Sequence, residues 1–472
     1  MNIALIRPPK ISGAFEKILI QEPINLVYLG TYLKSKGFQA TIIDFEVEPF
    51  NGNNINYLLK KHSIELVGIT AMTPTINNAH EAALLIKQYR KDLPIVVGGP
   101  HVSAIPDKTL REFPAFDYAV MGEGELPMLN LCENIMNQLP LTGIAGIAGR
   151  NSGKIFINKP ADYINNLDTL PLPDRSLLNQ KLYTHAYAVG INKGKKRSTV
   201  VFTSRGCSQK CIFCAVEKTT GDIVRFKSAG NVIGELKDCR DRFGYNHITF
   251  EDTNLTLSRK RFIEICRGLK SLKLSWDCQT KVSLVDEELI SIMKDCGCLK
   301  IAYGVESGSP KILSLIKKNI TITQVKKAFE LTHRAKIVAC AFFILGSHPQ
   351  ENADDIRLTE KLIHEIKPDV FQLGIICPYP GTEIFRIMKN EGLITDIDWK
   401  KFNFMHSKPP WRTKYLSSKD LIKFQKQIYI NYIFSLSFIG SLLLKMLDPA
   451  QALNIINLSF YMLKYLLFEK RR

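Results

Sequence analysis

The chain has no dense set of paired cysteines: its 472 residues carry eleven, spread over the length, and the first is Cys132. A secreted disulfide scaffold is short and cysteine-rich, so that class is excluded. The start, MNIALIRPPK, lacks a basic stretch followed by an apolar core. No secretory leader is expected there, and a reducing cytoplasmic setting is. Uncharged runs are short as well. IYINYIFSLSFIGSLLL (428–444) has 17 residues, under the ~20 that span a bilayer. Acidic residues fall short of basic ones, 45 against 63, leaving +18. That surplus fits nucleic acid, an anionic cofactor or substrate, an anionic membrane, or simply solvated lysines. With 45% apolar residues the composition is globular, and the length implies several domains.

What is present begins with alternation. MNIALI, ATIIDF (40–45), IELVGIT (64–70), IVVGGP (95–100) and YAVMGEGE (118–125) read as buried strands. Between them, 25–38 and 77–93 carry apolar residues at helical spacing, the first stopping at Gly37. Strands alternating with helices predict a doubly wound parallel sheet over 1–140. Ligands of such sheets lie beyond the carboxyl ends of the strands. Here those ends hold Thr70, Thr73, Gly98, Gly99, His101, Gly122, Glu123 and Gly124. Residues 141–197, with NNLDTLPLPDRSLLNQKLY (165–183), read as a linker. Strand–helix alternation resumes at STVVFTS and predicts a partial TIM-like (β/α) barrel over 198–395, followed by a helical region, 396–472.

At the first barrel strand stands TSRGCSQKCIFCAVEK (203–218), with Cys207, Cys211 and Cys214 within eight residues and Phe213 before the last. A closed zinc site wants four ligands, and a disulfide pairs thiols two at a time. Three thiolates leave a metal centre with one position open. CGC at 296–298 lacks a second nearby pair, so Cys278, Cys296, Cys298 and Cys340 are expected to be buried thiols, and Cys377 to lie at a strand end facing a cavity.

VGIT (67–70), VVGGPH (96–101) with Pro106, and DYAVMGEGE (117–125) together resemble the cobalamin-binding domain placed ahead of many radical S-adenosylmethionine (SAM) enzymes. CSQKCIFC (207–214) resembles the radical SAM signature. The resemblance implies that the three cysteines hold three irons of a 4Fe-4S cluster, whose fourth iron chelates the amino and carboxylate groups of SAM. It places SAM contacts at Phe213, at Glu251 and Asp252 of HITFEDTN (247–254), and at Gln279 of LSWDCQTKV (274–282). It adds Glu306 and Ser307 of YGVESGS, Gly346 of FFILGSHPQE and Pro378 of CPYPGT. Lys281 stands where relatives often have arginine, keeping the charge without the planar fork. A DxHxxG loop, the source of a cobalt-ligating histidine in other cobalamin proteins, is missing. His101 is read either as an axial ligand or as a capping or hydrogen-bonding group.

The function so implied is reductive cleavage of SAM followed by methylation of an unactivated carbon on a small-molecule or lipid-like substrate. Relatives also close rings or rearrange substrates. The implied partners are an electron donor such as flavodoxin or ferredoxin and, through the apolar tail, a peripheral membrane surface; nucleic acid is not expected. An RNA methylthiotransferase would carry three cysteines in its N-terminal domain, where this chain has only Cys132. A non-enzymatic cobalamin or cluster sensor would leave the acids at successive strand ends without a purpose. The tail, 428–468, reads as barrel-capping helices, an interfacial pair or one spanning helix.

Overall fold

The computed structural model describes residues 1–10, 20–151, 153–183, 197–403 and 408–435. A seven-stranded sheet is built from β1 (Asn2–Arg7), β2 (Gln39–Asp44), β3 (Leu66–Thr70), β4 (Ile95–Gly98), β5 (Tyr118–Val120), β6 (Ile147–Asn151) and β7 (Lys154–Ile157), in the order β2-β1-β3-β4-β5-β6-β7. The first five strands pair in parallel. β6 and β7 add an antiparallel hairpin. The sheet thus runs past residue 140, and the linker begins only after Ile157. Sequence alternation missed the hairpin because it is short and has no crossover helix. Helices Ile24–Ser35 and Ile76–Tyr89 cover the sheet where the apolar spacing predicts, and Gly37, at φ 91°, ends the first.

The second sheet is β8 (Ser198–Val201), β11 (His247–Phe250), β12 (Ser275–Thr280), β13 (Cys298–Glu306), β14 (Val338–Leu345) and β15 (Val370–Ile375), all parallel, in the order β15-β14-β13-β12-β11-β8. A small ribbon, β9 (Ser204–Arg205) with β10 (Arg225–Phe226), flanks the cysteine loop. Six strands form an open barrel, so β15 has a free edge. Helix Ser418–Ile433 covers it: the Tyr429 hydroxyl accepts from Leu373 N at 2.9 Å and Gln425 donates to the Leu373 carbonyl at 2.7 Å. The barrel-capping reading therefore holds for this helix. Most of the 428–468 stretch lies outside the described residues, and no described helix is long and apolar enough to cross a membrane.

A buried knot of charges ties the two sheets and the linker together. Arg175, from the linker, is fully buried; it donates to Glu235 Oε1 at 3.0 Å, to the Val200 carbonyl at 2.9 Å and to Thr199 Oγ1 at 3.2 Å. Glu235 also accepts from Lys227 at 2.6 Å and from the Tyr28 hydroxyl at 2.9 Å. Thr199 in turn donates to Glu22 at 2.7 Å.

Candidate functional site: the cysteine loop and the facing strand ends

The cysteine loop leaves β8 under tight backbone constraint. Gly206 has φ 89°, and a Cβ there would lie 2.2 Å from the Ile223 carbonyl oxygen, so only glycine fits. Asp252 fixes the approach: fully buried, it accepts from Thr203 N at 3.0 Å, from Thr203 Oγ1 at 2.9 Å and from Ser204 Oγ. The middle of the loop is stitched to the barrel mouth through Ile212, whose N–H reaches the Ile316 carbonyl and whose carbonyl takes the Ile384 N–H.

The cysteine environment fits a cluster. Among the described residues no three His, Cys, Asp or Glu side chains converge as around a single ion; a cluster asks instead for one thiolate per iron. All three cysteines are free and half-buried. Burial pushes the Cys211 and Cys214 thiols up, and the Lys318 ammonium opposes this at both. Asn254 Nδ2 lies 3.8 Å from Cys207 Sγ, a donor of the kind that tunes cluster sulfurs. Lys318 is itself held by Glu306 at 2.7 Å, and Gly304 leaves room for that pair.

Beside the loop is a cavity of about 280 Å³ at the ends of β14 and β15, lined by Phe213, Glu306, Phe342, Ile344, Cys377 and Tyr379 among others. Pro378 is buried next to its wall. Glu251 and Gln279 stand together on neighbouring strand ends, the amide donating to the carboxylate at 3.1 Å. Burial and the nearby Asp277 raise Glu251 to about 6, leaving it mostly ionised at neutral pH. Three of the residues expected at SAM are engaged within the protein. Asp252 is spent on residues 203 and 204. Ser307 is fully buried, accepting from Ser309 N at 3.1 Å, and Gly346 packs against Leu421. Cys278, Cys296, Cys298 and Cys340 are buried, as expected.

Opposite, the strand ends of the first sheet present Thr70, Gly98 and Gly122. Gly99, at φ 109°, packs so closely that a Cβ would meet the Ala71 carbonyl oxygen at 2.7 Å. Gly124 lies by Leu29. His101 is not open to this face: it is fully buried, its Nδ1 3.1 Å from Thr73 Oγ1 and its ring edge-on to Trp399 at 5.0 Å. The bond from Nδ1 to Thr73 fits the hydrogen-bonding reading, while Nε2 is buried with no protein partner. Glu123 is also committed, its carboxylate gripped by Arg225 at 2.7 and 3.0 Å. Arg205, Arg225 and Lys318 went unnoticed in the sequence; the only local hint was Arg205 lying two residues before Cys207.

One buried acid gives a test by pH. Glu351, in the loop that follows β14, is fully buried; Ser347 N donates to its Oε2 at 2.7 Å and Oε1 finds no protein partner. Burial raises it to about 8 from 4.5. The folded state therefore keeps a proton that the unfolded state releases, and stability falls as pH rises from about 4.5 to 8, by up to ~1.4 kcal/mol per unit. Glu351→Gln cannot ionise. Melting temperatures across pH 5–9 are expected to fall less steeply for this variant than for the wild type; parallel curves would contradict the assignment.

Residues 19–131 match the family model of the B12 binding domain, and residues 201–363 that of the Radical SAM superfamily. A protein of Pyrococcus horikoshii described as an uncharacterized methyltransferase is 32% identical over 436 residues, 92% of each chain. An anaerobic magnesium-protoporphyrin IX monomethyl ester cyclase of Rubrivivax gelatinosus is 28% identical over 416 residues, 86% of this chain and 73% of that one. Among solved structures, the cobalamin-dependent S-adenosylmethionine radical enzyme OxsB with aqua-cobalamin bound gives a TM-score of 0.74 at 19% identity, over 98% of this chain and 71% of that one. The radical S-adenosylmethionine methyltransferase TsrM of Kitasatospora setae gives 0.68 at 18%, over 83% and 75%. These two likenesses show a shared fold. The chain is a radical SAM enzyme, and it belongs to the cobalamin-dependent radical SAM family. Its cofactors are a 4Fe-4S cluster, SAM and cobalamin.

Proposed function

We propose that the protein methylates an unactivated carbon of a small-molecule or lipid-like substrate. The observation that carries this is the meeting of the two loops: Arg205, two residues before Cys207, reaches Glu123 and Glu125 of the facing strand-end loop. With the cofactors bound, the cluster and SAM supply a 5′-deoxyadenosyl radical, and cobalamin supplies the methyl group. Cys207, Cys211 and Cys214 hold the irons. Lys318 offsets negative charge at the thiolates, and Lys281, hydrogen-bonded to Gln209 at 2.9 Å, braces the loop. Glu251, largely ionised and oriented by Gln279, would receive the SAM ammonium. Phe213, Phe342, Ile344 and Tyr379 line an apolar wall that would keep water from the reacting atoms, with Glu306 and Pro378 at its edge. Thr70, Gly98, Gly99, Gly122 and Gly124 let cobalamin approach the backbone. A flavodoxin- or ferredoxin-like donor supplies electrons, and the setting is cytoplasmic.

The similarity to a ring-forming cyclase favours a second reading, radical ring closure on the same site without methyl transfer. Anaerobic incubation with SAM, cobalamin and reductant, followed by mass analysis of the nucleoside products, tests the shared first step.

A further inference from the structure

We infer that Glu123, Glu125, Arg205 and Arg225 couple the two cofactor sites, so that each site binds its cofactor more tightly when the other is filled. The inference rests on the cofactor assignment above and goes beyond it. Arg205 and Arg225 stand opposite each other on the β9–β10 ribbon that brackets the cysteine loop. Arg225 clasps Glu123 with both terminal nitrogens, at 2.7 and 3.0 Å, and its remaining bonds go to the Ile164 and Thr220 carbonyls. Arg205 donates to Glu125 at 2.6 Å and lies 3.4 Å from Glu123. All four side chains are largely buried, the two carboxylates at 6–7% exposure. Gly122, beside Glu123, comes within van der Waals reach of the cysteine loop: a Cβ there would lie 3.8 Å from the Thr219 carbonyl oxygen.

Two carboxylates and two guanidiniums cancel in charge. A buried set of this kind contributes orientation more than stability, because desolvation offsets much of the attraction. Its forked, bidentate geometry tolerates little displacement. A cluster on Cys207, Cys211 and Cys214 would add three anchors to a loop already held at residues 203, 204 and 212; that added restraint would pass along the ribbon to both arginines, which hold Gly122-Glu123-Gly124. Coupling between two binding equilibria is reciprocal by necessity.

The test uses the full chain under anaerobic conditions, with the cluster reconstituted or removed by a chelator, and hydroxocobalamin as the probe in equilibrium dialysis. Cluster-loaded wild type is expected to bind hydroxocobalamin about tenfold more tightly than cluster-free protein, within the usual 5–150-fold range of coupling. Iron retention against chelator at equilibrium should rise with cobalamin by the same factor. In Glu123→Gln both probes still bind and the ratio falls to about one. Arg225→Lys keeps the charge without the fork and gives an intermediate ratio; it also serves if Glu123→Gln fails to fold. A general loss of stability would weaken both states alike and leave the ratio unchanged. Equal cobalamin affinity with and without the cluster in wild type, or an unchanged ratio in both variants, overturns the coupling alone. Wild type that takes up no iron or no cobalamin overturns the cofactor assignment, and the coupling with it.

Discussion

Cys211→Ala is expected to leave the protein folded and without its cluster. Anaerobically reconstituted wild type should hold about four irons per chain, whereas the variant should hold almost none, lose the visible absorbance of the cluster and fail to cleave SAM. The size of this effect follows from the site. Only three thiols stand on the loop, and the other eight cysteines are buried on other elements, Cys377 alone lining the cavity beside the loop. Folding should survive because the loop is held by other groups: Asp252 on residues 203 and 204, the backbone bonds of Ile212, and the Cys207 N–H on the Gly221 carbonyl. Circular dichroism like that of the wild type, together with iron loss, is the expected pair of readings. A variant that retains four irons would show that the loop is not the cluster site.

Glu235→Ala is expected to have the largest effect on stability. Its carboxylate carries no exposed surface and neutralises both Arg175 and Lys227. Removing it leaves two cations buried without a counter-charge, which costs about 3–5 kcal/mol. Because Tyr28 comes from the first sheet unit, Arg175 from the linker and Lys227 from the barrel, the loss falls on the docking of the two sheets as well as on local packing. Chemical denaturation should show a lower midpoint and an early transition as the sheets separate. An unchanged midpoint would mean that water reaches the knot and screens it. Triple replacement by apolar residues of similar size at Arg175, Lys227 and Glu235 should recover much of the loss, since the set is then no longer charged.

The architecture was largely legible in the sequence, for a local reason. β1 to β5 and the barrel strands are apolar runs separated by helical spacing, and parallel sheets with both faces covered demand such runs. The three cysteines were legible because their spacing is itself the site. The rest of the site depends on which way a side chain points and on contacts across the chain. Glu251 and Asp252 are adjacent, so on an extended strand end they face opposite sides. His247, Thr249 and Glu251 share one face by alternation, and that rule could have separated the Glu251 that meets Gln279 from the Asp252 that turns inward to residues 203 and 204. Glu123 could not be resolved so simply. Its glycine-flanked position reads as a ligand loop, while its partner Arg225 is 102 residues away. Separation in sequence likewise hid Arg175 from Glu235, 60 residues on, and Lys318 from the cysteines, because charge pairs formed across a fold leave no local period. His101 stands at a strand end, as ligand-binding residues do, yet Trp399 from the C-terminal region covers it.

We propose that this chain cleaves SAM at a cluster on residues 207–214 beside a cobalamin site. The measurement that reaches it most directly needs no knowledge of the substrate: cluster-reconstituted protein with hydroxocobalamin, SAM and a strong reductant, sampled anaerobically and analysed by mass for SAM-derived nucleosides. Steady formation of 5′-deoxyadenosine that stops when Cys211 is replaced is the expected result. SAM recovered intact from protein carrying its full complement of iron and cobalamin would contradict it.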